Sequence, residues 1–122
     1  DVEKVPVERL VKNLEEALKK DPKDVQAILN LGRLHAMAFS LRAEEVPVNA
    51  KKPDTIWFGY TPALVPFRTV AKTEDKEKLK AAQVHLEAAV KLYADAVKLA
   101  PDDQRAQLGY GWLLSQTDKK AD

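Results

Sequence analysis

Apolar residues recur at intervals of three and four in four segments of the chain, a spacing that lines one face of an α-helix. The pattern predicts helices over residues 7–20, 25–42, 74–99 and 101–116. Asp24 suits the N-cap of the second helix, because its carboxylate can accept a backbone N–H. Glu74 and Asp75 are expected in the first turn of the third helix, where acidic side chains complement the helix dipole. The chain is therefore predicted to be all-α with about four helices.

Two turns between these helices share the same sequence features about 79 residues apart. Residues 17–24 and 96–103 each carry an alanine five residues before a proline, and acidic residues follow the proline. The helix after each turn contains a glycine, Gly32 or Gly111. A helix–turn–helix pattern that recurs in this way indicates an internal repeat and a helical solenoid.

The ordered residues of this repeat resemble the tetratricopeptide repeat family. The first-helix pattern of that family is matched by Ile28, Leu31, Gly32 and His35. The second-helix pattern is matched by Ala89, Tyr93, Ala96 and Pro101. Half-repeats at the two ends are matched by Leu10, Leu14, Ala17 and Pro22, and by Tyr110, Gly111 and Leu114. The resemblance implies a single domain over residues 1–122, built of antiparallel helical hairpins as a right-handed solenoid fragment.

The central hairpin is interrupted by residues 46–73, a segment well above ordinary loop length. Prolines at four positions prevent a continuous helix, so we expect an irregular insert. The segment holds four of the eight aromatic residues of the chain: Trp57, Phe58, Tyr60 and Phe67. Two interpretations stay open. The aromatic residues could fold back as a lid on the long helices, or some of them could form a binding surface, since aromatic side chains dominate interface hot spots.

Composition and charge argue against nucleic acid and membranes as partners, so the expected partner is a protein. The 20 Lys and Arg residues against 19 Asp and Glu residues leave a net charge of +1, too weak a field to collect nucleic acid or an anionic membrane. No apolar run approaches the roughly 20 residues of a transmembrane helix, so membrane insertion is not expected. The absence of cysteine excludes disulfides, thiolate catalysis and cysteine-ligated zinc. Because the chain begins at Asp1, we expect a processed or excised product, with a secreted or periplasmic location slightly favoured over a cytoplasmic one.

The sequence contains only weak candidates for a catalytic motif, and we predict a non-enzyme without cofactor or metal. His35 and His85 lie on different predicted helices and lack a His-x-x-x-His spacing. We expect His35 to pack in place of the family's aromatic residue and His85 to lie at the solvent edge. Pairs of acidic residues at 15–16, 44–45 and 74–75 are typical of solvated helix faces or first turns rather than of a hydrolase.

The resemblance places a concave binding groove on the first helix of each hairpin. The residues expected to line it are Gln26, Leu29, Asn30, Arg33, Met37, Arg105, Leu108 and Trp112. Some members of the family hold a peptide carboxylate with a clamp of lysine, asparagine and arginine. Asn30 could stand for one clamp residue, but the companion positions are absent, which disfavours a clamp. An apolar groove is expected instead, unless these side chains pack against the insert.

The two half-repeats predict assembly, because a solenoid without polar caps stacks further. The last helix of one molecule would pair with the first helix of the next through Leu10, Leu14, Tyr110 and Leu114. Such a heterologous contact closes into a ring or grows into a filament. We therefore expect a structural homo-oligomer that stacks head to tail. The alternative is a peptide- or protein-binding scaffold that is a fragment of a longer repeat protein.

Overall fold

Four helices and three short strands form the part of the chain that the computed structural model describes, residues 2–49, 52–56 and 70–118. In chain order these elements are β1 (Val2–Pro6), α1 (Val7–Lys20), α2 (Val25–Leu41), β2 (Glu45–Asn49), β3 (Lys52–Ile56), α3 (Lys76–Leu99) and α4 (Gln104–Asp118). The helices lie where the apolar spacing predicts them, so a mostly helical chain is confirmed. The small sheet was not predicted.

Aspartate side chains determine where two of the helices begin, by accepting backbone N–H groups that have no partner within the helix. Asp24 caps α2 as predicted, with its carboxylate 3.1 Å from the Ala27 nitrogen. Asp75 caps α3 in the same way and accepts from two N–H groups of the first turn. The prediction that Glu74 and Asp75 belong to that first turn is therefore wrong, because α3 begins at Lys76.

The sheet corrects the prediction of an irregular insert. Its strand order is β1-β2-β3, and both neighbouring pairs are antiparallel. Residues 46–49 and 52–56, expected to be irregular, are strands. The alternation of Val46, Pro47 and Val48 has the two-residue period of a strand, but prolines argue against a ladder because they lack the N–H donor. A bulge between Val48 and Asn49 accommodates the irregular pairing of β2 with β3.

Helix α2 lies between two buried clusters of apolar residues. The first cluster joins α2 to α3 and α4 and consists of Ile28, Leu29, Ala36, Phe39, Ala82, Leu86, Ala89, Tyr93, Ala96, Ala106 and Leu113. The second joins α2 to β1, α1 and β2 and consists of Val5, Val7, Leu10, Leu31, Leu34, Met37, Ala38 and Val46. Burial on opposite sides agrees with the wide apolar arc of α2 in the sequence.

The ring of Tyr93, which is 1% exposed, lies between glycines of two neighbouring helices. A Cβ atom built on Gly32 of α2 would lie 2.7 Å from Cε1, on one edge of the ring. A Cβ atom built on Gly109 of α4 would lie 2.8 Å from Cδ2 and closer still to Cε2, on the other edge. Real Cβ atoms do not approach other carbons so closely, so the two glycines permit the contact of α2 and α4 with α3.

Candidate functional site

Helix α4 is packed on one side and exposed on the other. Ala106, Gly109 and Leu113 are buried in the first cluster or against Tyr93. On the opposite side Leu108 is 50% exposed and Leu114 is 39% exposed. Between them, a Cβ atom on Gly111 would meet nothing within 4 Å. We define the outer face of α4 by the exposed residues that precede Asp118, the exposed last residue of the helix: Gln104, Gln107, Leu108, Gly111, Leu114 and Ser115.

The outer face of α4 is uncharged, whereas the exposed side of α1 is highly charged. No charged residue occurs between Arg105 and Asp118. The exposed charged residues of α1 are Glu8, Arg9, Lys12, Glu15, Glu16, Lys19 and Lys20. A charged outer helix is the usual cap of a helical stack, and an uncharged one with exposed leucines is not. The α1 side of the molecule is therefore closed, and the α4 side is suited to further packing.

Three of the predicted groove residues form a polar cluster at the contact between α2 and α4. The Arg105 guanidinium donates to the Gln26 side-chain oxygen at 2.8 Å, and the Gln26 amide donates to the Asn30 side chain at 2.9 Å. Arg105 also forms an ion pair with Asp103 at 3.1 Å. The hydrogen bond from Arg105 lowers the pKa of Asp103 below its ordinary value. The cluster is accessible and fixes the position of α4 relative to α2.

The other α2 residues predicted to line the groove are buried. Leu29 and Met37 are each 3% exposed and belong to different clusters, so they lie on different sides of α2. Arg33 is also buried, and this burial lowers the pKa of its guanidinium. These three residues are therefore not part of an open surface in this structure, because α2 is covered on more than one side. Trp112 of α4 is half-buried and packs edge-on against Phe39, with ring centroids 6.5 Å apart.

Of the residues predicted to join molecules end to end, only Leu114 is exposed. Leu10 is 5% exposed and lies in the second cluster with Val46 of β2. It is therefore not available for the predicted contact, because the unpredicted strands cover it within the same chain. Leu14 and Tyr110 are half-buried against the two clusters. The predicted insert contacts Trp57, Phe58, Tyr60 and Phe67 lie outside the described residues.

The two histidines contact each other, which the sequence analysis did not predict. His35 of α2 and His85 of α3 have their Nδ1 atoms 2.8 Å apart. His85 Nε2 lies 2.9 Å from Oε1 of Glu44, in the segment that connects α2 to β2. Burial, and next the neighbouring imidazole, lower the pKa of His35 to about 4. His85 has a side chain that is 12% exposed and bonded at both nitrogens, on one side to the exposed Glu44, and neither bond was predicted.

Nothing in the described ranges points to a metal centre or a membrane span. No group of three or more His, Cys, Asp or Glu residues in those ranges is placed to hold a metal ion. None of the four helices is long and apolar enough to cross a bilayer. Comparisons with protein-family models, curated proteins and solved structures found no match for this chain. The resemblance to tetratricopeptide repeats therefore stays a prediction that depends on the residues quoted for it.

Proposed function

We propose that the chain is a non-catalytic protein-interaction module that pairs with a second copy of itself through the outer face of α4. The observation that carries the proposal is the exposure of Leu108 and Leu114 around Gly111 on a helix face that has no charged residue before Asp118. Exposed leucines on an uncharged helix face are typical of a surface that is covered by another helix.

The positions of these residues are self-complementary. Leu108 and Leu114 lie three residues before and after Gly111. When two copies of α4 cross antiparallel at Gly111, a twofold axis relates them, and Leu108 of each copy lies beside Leu114 of the other. The absence of a side chain at Gly111 lets the helix backbones approach closely at the crossing point. Such an isologous contact uses one surface patch twice and closes at two molecules.

The pairing that we propose differs from the head-to-tail stacking expected from the sequence. Head-to-tail stacking requires a second apolar surface on α1, but Leu10 is covered and the exposed side of α1 is charged. A charged helix against the uncharged face of α4 would lose hydration without gaining ion pairs. A ring or filament through α1 is therefore less favourable than a closed pair through α4.

The size of the face indicates a weak pair. Helix α4 has 15 residues and is about 22 Å long, so one helix-to-helix contact buries less than the roughly 800 Å² per partner of a standard interface. We expect dissociation constants from tens to hundreds of micromolar, about −5 to −6 kcal/mol. A concentration of that order, or tethering in a larger assembly, would be needed to populate the pair.

Sedimentation velocity on the whole chain from about 10 μM to about 1 mM, a range that brackets the expected dissociation constant, tests this proposal. The sedimentation coefficient of the wild type should rise with concentration, and Leu114→Glu should abolish the rise by placing a carboxylate in the contact. Leu79→Glu is the matched control, because Leu79 is 40% exposed but belongs to α3 and not to the outer face of α4. A wild type that stays monomeric throughout, or equal loss of association in the two variants, would refute the pairing.

The accessible polar cluster favours a second candidate, a scaffold that binds a peptide across α2 and α4. Gln26, Asn30 and Arg105 offer amide and guanidinium groups, and the half-buried Trp112 lies two helical turns beyond Arg105 on α4. In this case Arg105→Ala should abolish capture of a peptide from a random library displayed on phage, whereas Leu114→Glu should leave it unchanged. The reverse sensitivity would assign binding to the outer face of α4.

A further inference from the structure

His35 and His85 contact each other through a direct hydrogen bond in which the two Nδ1 atoms lie on the line between the ring centres. The ring centroids are 5.1 Å apart, and the Nδ1 atoms are 2.8 Å apart. A ring nitrogen lies roughly 1.2 Å from the centre of a five-membered ring whose bonds are roughly 1.35 Å long. The two distances therefore agree only if both Nδ1 atoms lie close to the line between the ring centres. The two nitrogens point at each other and share a proton, whereas a chelated metal ion requires lone pairs that converge on a third point about 2 Å from each nitrogen.

Glu44 determines how the protons are distributed in this chain of bonds. An ionised carboxylate can only accept, so His85 donates its Nε2–H to Glu44. In the neutral ring of His85 the Nδ1 atom is then an acceptor, and His35 must donate its Nδ1–H to it. His35 therefore donates to His85, and His85 donates to Glu44. This order of donation assigns a tautomer to each ring.

We propose that the chain formed by His35, His85 and Glu44 is an acid-sensitive latch that ties the connection between α2 and β2 to α3. One added proton is accommodated: it binds Nε2 of His35, and the proton on Nδ1 of His35 passes to Nδ1 of His85. The charged His85 then donates to Glu44 and to Nδ1 of His35. A second added proton would leave two N–H groups facing each other at 2.8 Å and two positive rings side by side. The contact must then open.

The groups around the pair are consistent with a switch governed by these three residues. Burial of His35 and its neighbour His85 lower the pKa of His35 to about 4, and Glu44 opposes this effect. Arg42, at the end of α2, instead packs over the Phe39 ring and donates to the Ala71 carbonyl.

The other charged groups near the pair on α2 and α3 are directed elsewhere. Arg33, one half-turn before His35 on α2, interacts electrostatically with Tyr93 and Arg105. Glu87, two residues beyond His85 on α3, is exposed.

Glu44 connects the latch to two further elements. Its backbone carbonyl accepts a hydrogen bond from the N–H of Val7, the first residue of α1, at 2.8 Å. The next residue, Glu45, begins β2. When the side chain of Glu44 leaves His85, the segment that accepts the Val7 N–H and leads into β2 is no longer tied to α3 by this bond. Exchange of the Val7 amide hydrogen with solvent reports this event.

Hydrogen exchange on the full chain, together with ¹⁵N shifts of the histidine rings, tests the latch. At pH 7 the ring shifts should show Nδ1–H on His35 and Nε2–H on His85. Between pH 6.5 and pH 4 the Val7 amide of the wild type should exchange at least roughly tenfold faster after correction for the intrinsic rate. In His35→Asn, an uncharged amide donor replaces the Nδ1–H group and cannot be protonated, so the acceleration should be absent.

Three results would overturn the proposal. The first is an Nε2–H tautomer on both rings at pH 7, and the second is the same acceleration in His35→Asn as in the wild type. Glu44→Gln supplies the third measurement and serves if His35→Asn does not fold. It keeps an acceptor for His85 but removes the charge, so the first ring protonation should move to lower pH. An unchanged midpoint would contradict the role of Glu44.

Discussion

Replacing Gly109 by alanine tests the packing that holds α2, α3 and α4 together. The added Cβ would overlap the Tyr93 ring at Cδ2, Cε2 and Cζ. The ring cannot relieve the overlap by moving away, because Gly32 of α2 already touches its opposite edge, where even a Cβ would lie at 2.7 Å. Either the Tyr93 side chain leaves its buried position or α4 moves away from α3.

The expected cost follows from two opposing effects. Overpacking in a rigid core, including the backbone shifts that it forces, typically costs about 1–3 kcal/mol. A change from glycine to alanine inside a helix contributes about 1 kcal/mol in the opposite direction, through helix propensity. Gly111→Ala isolates the second effect two residues along the same helix, because its Cβ would meet no atom within 4 Å. Because the propensity gain is common to both variants, their unfolding free energies should differ by the overpacking cost alone, about 1–3 kcal/mol, with Gly111→Ala the more stable.

Urea denaturation of wild type, Gly109→Ala and Gly111→Ala measures this difference, and thermal unfolding checks it. Gly111→Ala should unfold above the wild type and Gly109→Ala below it, and each kcal/mol should shift the midpoint by about 3–6 °C in a chain of this size. Equal stability of the two alanine variants would refute the placement of Tyr93 between the glycines. A variant of Gly109 that is too unstable to purify would agree with the reasoning, provided that Gly111→Ala folds.

Three further predictions concern single side chains. Tyr93→Phe keeps the ring but removes a buried hydroxyl that has no hydrogen-bond partner among the described residues, so urea denaturation should show unchanged or slightly higher stability, by up to about 1 kcal/mol. Asp24→Ala removes the N-cap of α2 and should cost about 1 kcal/mol in the same assay, whereas Lys23→Ala beside it should have little effect. Burial of His35 lowers its pKa from about 6.5 in the unfolded chain to about 4 in the folded one, so the unfolded chain binds the proton first on acidification. The contribution of the neutral His35 ring to the free energy of unfolding is therefore complete above pH 6.5 and is lost as the pH falls to 4. The loss is at most about 3 kcal/mol, and partial exposure of the ring makes it smaller. Calorimetry at several pH values should show this loss in wild type and not in His35→Asn.

The helices could be predicted from the sequence because their information is local. The apolar spacing of α1 and the capping carboxylate of Asp24 lie within the segments that they organise. The sheet depends on pairing between β1 and β2, which lie on either side of α1 and α2, and on tolerance of Pro47 in the middle strand. Local patterns do not contain such long-range pairing, and the covering of Leu10 by the strands was missed for the same reason.

The candidate sites show the same division between local and long-range information. Leu114 could be named from the sequence as a contact residue, because the unfilled side of a terminal helix follows from its repeat phase, whereas Leu108 was assigned to the groove. The relation of His35 to His85 could not be named, because it requires the register of α2 against α3. Glu44 was interpreted as part of a solvated acidic pair, since its histidine partner is 41 residues away. Such contacts become visible only once the helices are packed.

Disulfide formation at Gly111 tests the proposed pairing most directly, because the chain contains no cysteine of its own. In Gly111→Cys, two copies that cross at this residue bring their Cα atoms near the roughly 4.4–6.8 Å that a disulfide spans. Val84→Cys is the control, since Val84 is 61% exposed but belongs to α3 and not to the outer face of α4. Under mild oxidation at about 200 μM, within the expected range of dissociation constants, Gly111→Cys should form a covalent dimer much faster than Val84→Cys. Equal rates in the two variants, or no dimer of Gly111→Cys, would contradict the pairing of two chains through the outer face of α4.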